Sequence, residues 1–288
     1  MRVLIATASN DAYMPLLRGL LNSLKQFGNP QPYSDIGCLD VGLNAENRAW
    51  VCSQGAHVVE PGWDLPVDPA MRERMPYLRS LTARPFLPAY FPGYDMYVWI
   101  DCDAWVQERF VFNWLFNAAK DGELGIVPEL QVAYKQNITA SWRAHRLAQY
   151  YNENFSTQSL TQNYFNAGVF ALTADAPHWA HWAQHFDQGL RATHGTLVCD
   201  QTALNGAIWS DSLPVHPLPS LCNWLCHLAL PVFSVENAKF CEPFTPYNTI
   251  GILHLTSATK DLVFRLKDKN GLPIEISLRF PVADQTPI

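Results

Sequence analysis

The stretch that most constrains the fold runs from Tyr94 to Asp103, where an apolar run rich in aromatic and β-branched residues ends in Asp101 and Asp103. Such a run is typical of a buried strand in a parallel sheet. Ligands of open α/β sheets bind beyond the carboxyl ends of the strands, so both carboxylates are expected at a functional edge. Together they can bind one hard cation, because Mg²⁺ and Mn²⁺ prefer oxygen ligands that they share with phosphate. A solvated loop start is the alternative interpretation.

The composition favours a globular chain with a sizeable core and argues against nucleic acid as the main partner. Of the 288 residues, 48% are hydrophobic and only 16% are charged. The formal net charge is −6 without a long basic run, whereas nucleic-acid binding depends on clustered positive charge. Seven scattered cysteines fit a reducing compartment. Since neither a signal peptide nor a bilayer-spanning apolar segment is recognisable, we expect a cytoplasmic protein without a transmembrane segment.

The other apolar runs predict strands that alternate with helices. A first strand over residues 3–8 precedes a polar loop and a helix that extends to Phe27. Further strands are predicted over residues 36–41, 57–59, 124–127, 164–172 and 250–255, and further helices over residues 45–54, 110–119 and 142–151. Proline predicts a short or broken helix over residues 79–88, and residues 268–271 predict a hairpin turn. This alternation predicts an α/β fold. No G-x-G-x-x-G motif follows the first strand, so the dinucleotide fingerprint is absent.

Several polar residues stand next to these predicted elements. Arg84 precedes the 94–103 stretch and would bind phosphate or sugar hydroxyls, or form a surface ion pair. Gly168 lies in a predicted strand, where a glycine permits close approach of a ligand. Asp200 opens a helix and is either a reacting acid or a cap. Near the end of the chain, His254 could complete a metal shell and Lys260 could supply a point charge to a diphosphate.

A second group of potential metal ligands lies in the helix that follows Asp175. Its histidines at 178, 181 and 185 have spacings that suit a metal. A polar helix face is the preferred interpretation, opposite the apolar face made by Trp179, Trp182 and Phe186.

In their order along the chain, these motifs resemble the retaining glycosyltransferases of family 8. The resemblance runs from Val3 to about Lys260 and depends on the ordered set of motifs, each of which is weak alone. The set comprises the strand-loop-helix opening at 6–24, Ala83-Arg84, Asp101-Cys102-Asp103, Phe165-Asn166-Ala167-Gly168-Val169, Asp200-Gln201 with Leu204-Asn205, Leu218-Pro219 with Asn223, and His254 with Lys260.

The resemblance implies a fold and a division of the chain. The family has the GT-A fold, in which a mixed, mostly parallel central sheet is flanked by helices. The implied organisation is one domain over residues 1–288. Its parts are a nucleotide-binding half over 1–103, a donor-sugar and acceptor half over 104–260, and a C-terminal hairpin extension over 261–288.

The resemblance also implies a reaction and its residues. The reaction is metal-dependent transfer of a hexose, with retention, from a UDP-sugar to an acceptor hydroxyl of a glycan or glycoconjugate. The implied ligands of Mn²⁺ or Mg²⁺ are Asp101, Asp103 and His254. The implied contacts of the nucleotide sugar, with its diphosphate, are Ala6, Thr7, Ser9, Asn10, Arg84, Asp101, Cys102, Asp103, Asn223 and Lys260. The residues expected around the reacting carbon are Asn166, Asp200 and Gln201.

Two positions depart from the family pattern. The family often has an acidic residue just after the first strand that contacts uracil, and here Ala8, Ser9 and Asn10 occupy that stretch. Ser9 or Asn10 would have to serve instead, which weakens the case for UDP. The family also tends to have glycine midway between the late histidine and lysine, where this chain has Ser257. These departures leave open a catalytically inactive homologue that binds glycans or acts as a scaffold.

A nucleotidyltransferase that makes sugar nucleotides is a third interpretation. Such an enzyme needs a glycine-rich, basic phosphate loop after the first strand, and residues 7–11 offer none.

Retention of configuration requires either two displacements or attack from the face of the leaving group. By the resemblance, Gln201 occupies the position nearest the sugar, and an amide is a poor nucleophile. Asp200 is the acidic alternative. The expected mechanism is therefore same-face attack by the acceptor hydroxyl, whose proton passes to the leaving phosphate.

Overall fold

The computed structural model describes residues 1–28, 34–260 and 263–281. The strands are β1 (Val3–Ser9), β2 (Ser34–Asp40), β3 (Ala56–Val59), β4 (Met96–Ile100), β5 (Ala104–Val106), β6 (Leu124–Pro128), β7 (Phe165–Thr173), β8 (Val215–Pro217), β9 (Trp224–Leu225), β10 (Val232–Ser234), β11 (Lys239–Cys241), β12 (Ile252–His254), β13 (Val263–Lys267) and β14 (Pro273–Ser277). The helices are α1 (Met14–Ser23), α2 (Ala45–Ser53), α3 (Pro69–Arg74), α4 (Arg79–Ala83), α5 (Leu87–Tyr90), α6 (Phe110–Ala119), α7 (Asn137–Tyr150), α8 (Glu153–Gln158), α9 (His178–Ala192) and α10 (Asp200–Asp211).

The central sheet is mixed and mostly parallel, as expected. Its strands follow the order β3-β2-β1-β4-β7-β6-β8. β1 pairs in parallel with β2 and β4, and β6 pairs in parallel with β8. β7 runs antiparallel to both of its neighbours, β4 and β6. This reversal brings the first residues of β7 to the carboxyl end of β4, where the two aspartates follow.

The central strand β4 is buried on both faces, which explains its continuous apolar sequence. Tyr97 and Trp99 pack into one core cluster together with residues of α9 and α10, such as Trp182. Met96, Val98 and Ile100 pack into the cluster on the other face, which includes residues of α1 and α6. Full burial of each such side chain is worth about 1.5–3 kcal/mol. The end of β4 is therefore a rigid position for the polar residues that follow.

A small second sheet brings the late part of the chain back to the aspartates. Its order is β5-β12-β9, and β12 pairs antiparallel with β5 so that His254 lies opposite Ala104. The backbone N–H of Leu255 also donates to the carbonyl oxygen of Asp103 at 2.8 Å. This pairing fixes the distance between His254 and the residue that follows the acid pair.

The short predicted elements are also present. The expected broken helix appears as α4 and α5, separated by a 3₁₀ turn over Arg84–Phe86. β13 and β14 form the expected hairpin, and Gly271 adopts a φ of 85° in its turn. The helix predicted from Trp142 begins earlier, at Asn137. Among the described residues, no helix is both long and apolar enough to cross a membrane.

The preferred interpretation of the histidines in α9 as a polar face is wrong for two of the three. His178 and His185 are buried, and His181 is partly exposed. Both buried imidazoles have hydrogen-bond partners in the protein interior. Nε2 of His178 lies 2.9 Å from the carbonyl oxygen of Pro214, and His185 contacts Tyr151 and Asp211. A pattern of polar residues along a helix does not reveal such partners.

Burial of His178 predicts a pH-dependent stability. Burial lowers the pKa of His178 below its ordinary value of 6.5. Between that value and the folded pKa, the imidazole is therefore protonated in the unfolded chain and neutral in the folded chain. The contribution to the free energy of unfolding is therefore present above about pH 6.5 and is lost as the pH falls through the folded pKa. We expect His178→Gln to reduce the slope of the free energy of unfolding against pH in this acidic range, measured by urea denaturation. Measurements at pH 8 give the cost of the substitution itself, and an unchanged slope would contradict the prediction.

Candidate active site

Asp101, Asp103 and His254 converge on one point, although His254 is remote from the other two in sequence. Their nearest ligand atoms all lie within 4.8 Å of one another. Nε2 of His254 is 3.2 Å from Oδ1 of Asp103 and 3.7 Å from Oδ2 of Asp101. Within the described ranges, no other group of three or more His, Cys, Asp or Glu residues meets this criterion. A solvated loop start does not account for this convergence.

Each of the two carboxylates has one oxygen held by a donor outside the trio. Oδ1 of Asp101 accepts from Trp99 Nε1 at 2.8 Å and from Arg84 Nη2. Oδ2 of Asp103 lies 2.7 Å from Nζ of Lys260. The second oxygen of each carboxylate is the one nearest to Nε2 of His254. The two acids therefore present one oxygen each to the space beside the imidazole.

Arg84 links the acid pair to Asp200. Its Nη1 donates to Oδ2 of Asp200 at 2.8 Å and to the carbonyl oxygen of Ala167 at 3.2 Å, and Nη2 reaches Asp101. The guanidinium also lies 4.5 Å above the ring of Trp99. With 6% of its surface exposed, Arg84 is not part of a surface ion pair. Arg84 lies between two carboxylates, and its contact with a donor stays a prediction.

The charges at this point do not balance. Counted in their ordinary ionised forms, three carboxylates (Asp101, Asp103 and Asp200) meet two permanent cations (Arg84 and Lys260), although burial raises the pKa of Asp200. Burial alone would lower the pKa of His254, but Asp103 outweighs this effect and raises it. Burial would also raise the pKa of Asp103, but His254 and Lys260 keep it well below its usual range. The arrangement therefore attracts one further positive charge, which either a proton or a metal cation can supply.

The donor set fits a divalent cation. Two carboxylate oxygens and one imidazole nitrogen face each other, and all three atoms attract positive charge. Carboxylate oxygen suits Mg²⁺ and Mn²⁺, while imidazole is a common ligand of transition metals. The thiol of Cys102 does not belong to this set, because burial raises its pKa well above the usual value and keeps it protonated.

A cavity of about 210 Å³ opens beside the two aspartates. Seven of the predicted contacts line it, and they are Ser9, Asn10, Arg84, Asp101, Cys102, Asp103 and Lys260. Ala6 and Thr7 are buried in β1 and are not among the lining residues. Contact of these two residues with a nucleotide stays a prediction.

Sequence reasoning missed two aromatic residues at this cavity. Tyr13 and Tyr77 both line it and are partly exposed, by 37% and 41%. Nζ of Lys260 donates to the hydroxyl of Tyr13 at 3.0 Å and lies 4.7 Å from the centre of its ring. In the sequence, Tyr13 has the spacing of an apolar helix residue and Tyr77 belongs to no motif. Only the packing of the loops brings them to the cavity.

Asn166 and Gln201, two of the residues expected around the reacting carbon, share one buried partner, Glu129. Its Oε1 accepts from Asn166 Nδ2 at 3.0 Å and from Gln201 Nε2 at 3.1 Å. Oε1 of Gln201 accepts from the backbone N–H of Ala167 at 3.1 Å. Glu129 follows β6 directly, and its polar neighbours could not be foreseen from that position.

Asn223 is hydrogen-bonded to His254 of the candidate metal-binding trio. The residue is fully buried, its Nδ2 donates to Oδ1 of Asn166 at 2.9 Å, and its Oδ1 lies 2.9 Å from Nδ1 of His254. These protein contacts occupy both ends of its amide. Contact of Asn223 with a sugar or phosphate stays a prediction, and its hydrogen bonds to Asn166 and His254 do not favour it.

The sheet order and the position of the acid pair define the fold as the GT-A fold of glycosyltransferases. No protein-family model and no curated protein sequence matches the chain. Its fold is similar to that of the galactosyltransferase LgtC in complex with donor and acceptor sugar analogs, at 18% identity and a TM-score of 0.56 over 89% of this chain and 88% of the other.

Two further solved structures are glycosyltransferases as well. The apo structure of WbbM, a bifunctional glycosyltransferase, has 16% identity and a TM-score of 0.57, and the match covers 89% of this chain and 46% of WbbM. The apo form of mouse xyloside xylosyltransferase 1 has 13% identity and a TM-score of 0.51, covering 91% of this chain and 99% of the other. At these identities the similarity establishes the fold, and the activity has to be argued from the site.

Gly168 makes the close approach of β7 to this site possible. A Cβ atom at this position would lie 2.2 Å from Cε1 of His254 and 2.8 Å from Oδ2 of Asp101. We expect Gly168→Ala to displace the imidazole, to cost about 1–3 kcal/mol of stability and to weaken Mn²⁺ binding, measured by thermal denaturation and isothermal titration calorimetry.

Gly19→Ala is the matched control for that substitution. Gly19 lies in α1, and a Cβ there would meet its nearest neighbour at 3.4 Å, an ordinary contact. Alanine in a helix is also favoured over glycine by about 1 kcal/mol. Equal Mn²⁺ affinity in Gly168→Ala and the wild type would show that the close approach is not required.

Proposed function

We propose that this protein is a metal-dependent retaining glycosyltransferase of family 8, which moves a hexose from a UDP-sugar to an acceptor hydroxyl on a glycan or glycoconjugate. The observation that carries the proposal is the convergence of Asp101, Asp103 and His254 beside a cavity that Lys260 also lines. The glycosyltransferase fold supports it. The excess of negative charge supports a role for a divalent cation.

In this proposal the trio holds Mn²⁺ or Mg²⁺, and Lys260 adds a second charge. When bound, the metal neutralises the negative charge that develops on the leaving diphosphate. Lys260 suits the same task because Asp103 and Tyr13 keep its pKa above the usual value even though burial lowers it. Ser9 and Asn10 form the wall of the cavity where the nucleotide would bind, with Ala6 and Thr7 in the strand that leads to them.

Two observations support same-face attack. The carboxylate of Asp200 is buried and paired with Arg84, and both ends of the Gln201 amide are bonded to protein groups. Neither side chain offers an unpaired nucleophile. In the proposed step the acceptor oxygen bonds to the anomeric carbon while the bond from that carbon to the phosphate oxygen breaks. The proton of the acceptor passes to the leaving phosphate. Detection of a glycosyl adduct on Asp200 by mass spectrometry would contradict this step.

Asp103→Asn tests the metal dependence of the reaction. Loss of the metal contribution should raise the barrier by several kcal/mol, on the order of a thousandfold in rate. The measurement is Mn²⁺-dependent release of the nucleoside diphosphate from a UDP-sugar. Asp175→Asn is a matched control, since Asp175 is exposed and follows the other end of β7. Full activity in Asp103→Asn would show that the metal assignment is wrong.

A thermal-shift screen of nucleotide sugars tests the donor. A donor present at 100 times its Kd stabilises the folded protein by about 2.7 kcal/mol, which raises Tm by several degrees. We expect the largest shift from one UDP-sugar, and only when Mn²⁺ is present. A larger shift with another nucleotide would correct the donor, and the same shift without metal would contradict the metal dependence.

An inactive homologue that binds glycans or acts as a scaffold is the second candidate, and one observation favours it. Ser257 adopts a φ of 56°, a left-handed conformation that costs a residue with a side chain about 1–2 kcal/mol. It occupies the position where the family tends to have glycine. Mn²⁺-dependent hydrolysis of a UDP-sugar separates the two candidates, because an inactive homologue would show none.

Location and domain organisation are proposals as well. We propose that the protein is cytoplasmic, which the free thiols of all seven cysteines support. We also propose one domain with its internal divisions near residues 103 and 260. The location of the acid pair at the first division and of Lys260 at the second supports this arrangement.

A further inference from the structure

The buried carboxylate of Glu129 starts a chain of hydrogen bonds that ends at His254. Only 5% of its side chain is exposed, and Oε2 pairs with Nη2 of Arg143 at 3.2 Å. Oε1 accepts from the amides of Asn166 and Gln201. A buried carboxylate is costly unless it is paired and hydrogen-bonded. These three donors surround it, so its oxygens face their neighbours as acceptors.

The chemistry of the two fixed groups sets the direction of the first amide. The carboxylate of Glu129 can only accept, and the backbone N–H of Gly168 can only donate. Asn166 lies between them, with Nδ2 at 3.0 Å from Glu129 and Oδ1 at 3.0 Å from the Gly168 nitrogen. A reversed amide would place donor against donor and acceptor against acceptor. Glu129 and the N–H of Gly168 therefore each require the same orientation of the Asn166 amide.

The orientation of the Asn166 amide fixes the orientation of Asn223 and then the tautomer of His254. Oδ1 of Asn166 also faces Asn223, which must present its Nδ2 there, at 2.9 Å. Asn223 then presents Oδ1 to Nδ1 of His254, at 2.9 Å. Because an amide oxygen only accepts, the hydrogen of the neutral imidazole lies on Nδ1. The lone pair on Nε2 is thereby directed at the oxygens of Asp101 and Asp103.

We infer that Asn223 is a positioning residue, which holds His254 in the tautomer that leaves Nε2 free to bind a cation. The inference depends on the proposed metal site. Without the oxygen of Asn223, the hydrogen of the imidazole could move to Nε2 and bond to Asp103, 3.2 Å away. That bond would occupy two of the three ligand atoms of the proposed metal site. Partners of this kind typically change metal affinity by 10- to 100-fold.

The first experiment measures the affinity of the metal-free, full-length protein for Mn²⁺ by electron paramagnetic resonance of the free ion. We expect Asn223→Leu to bind Mn²⁺ about 10- to 100-fold more weakly than the wild type. Asn223→Asp keeps an oxygen opposite Nδ1, although it places a second acceptor against Oδ1 of Asn166, and should therefore lose less affinity than Asn223→Leu. An unchanged affinity in Asn223→Leu, or an equal loss in both variants, would overturn the inference.

Asn205→Leu is the matched control for loss of a buried asparagine. Asn205 is also fully buried and bonds to the backbone of Phe165 and Gln201, without contact to Asn223 or His254. Its substitution should lower Tm while Mn²⁺ affinity stays close to the wild-type value. Loss of affinity in this variant equal to that in Asn223→Leu would mean that general destabilisation causes both effects, and the inference would fail.

The second experiment observes the tautomer directly in the wild type and needs no metal. Long-range ¹⁵N–¹H correlation spectra of the metal-free wild type at alkaline pH report which ring nitrogen carries the hydrogen, and His254→Gln identifies the signal. Hydrogen on Nδ1 supports the inference and hydrogen on Nε2 overturns it. If the wild type binds no Mn²⁺, the proposed function fails, whereas this spectrum still decides the tautomer.

Discussion

The rest of the site depends on one unbalanced charge at the end of β4. Three carboxylates meet only two permanent cations there, and most of these side chains are largely buried. Charges in such a place interact more strongly than at a surface, because little solvent screens them. Unpaired negative charge at this position is costly in free energy, so binding of a further cation there is favourable. His254 is the group that responds, since its imidazole faces both acids of the pair.

Strand pairing and a close approach of β7 keep these groups together. At Gly168 the strand β7 lies so close to the side chains of His254 and Asp101 that a Cβ atom would collide with both. The antiparallel pairing of β12 with β5 holds His254 opposite Ala104. Two separate sheets therefore meet at the acid pair. A site built on strands of this kind is held more precisely than one carried by loops.

The buried polar groups around the site form one connected set. A chain of hydrogen bonds with fixed donors and acceptors runs from Glu129 through Asn166 and Asn223 to His254. Arg84 links Asp101 to Asp200. Connected hydrogen-bond networks of this kind favour one arrangement of their side chains over its alternatives. The proposed function places its chemistry at the end of β4, where this network meets the acid pair.

The sequence by itself determined the strand before the acid pair, the alternation of strands and helices, and the trio of metal-binding candidates. These features depend on local apolar periodicity and on residue types in a fixed order, which a sequence displays directly. Only the tertiary structure decided that His178 and His185 are buried, that Tyr13 and Tyr77 reach the cavity, and that Asn223 bonds to His254. A hydrogen bond or a cavity wall depends on which remote segments meet, and neither leaves a periodic pattern in the chain.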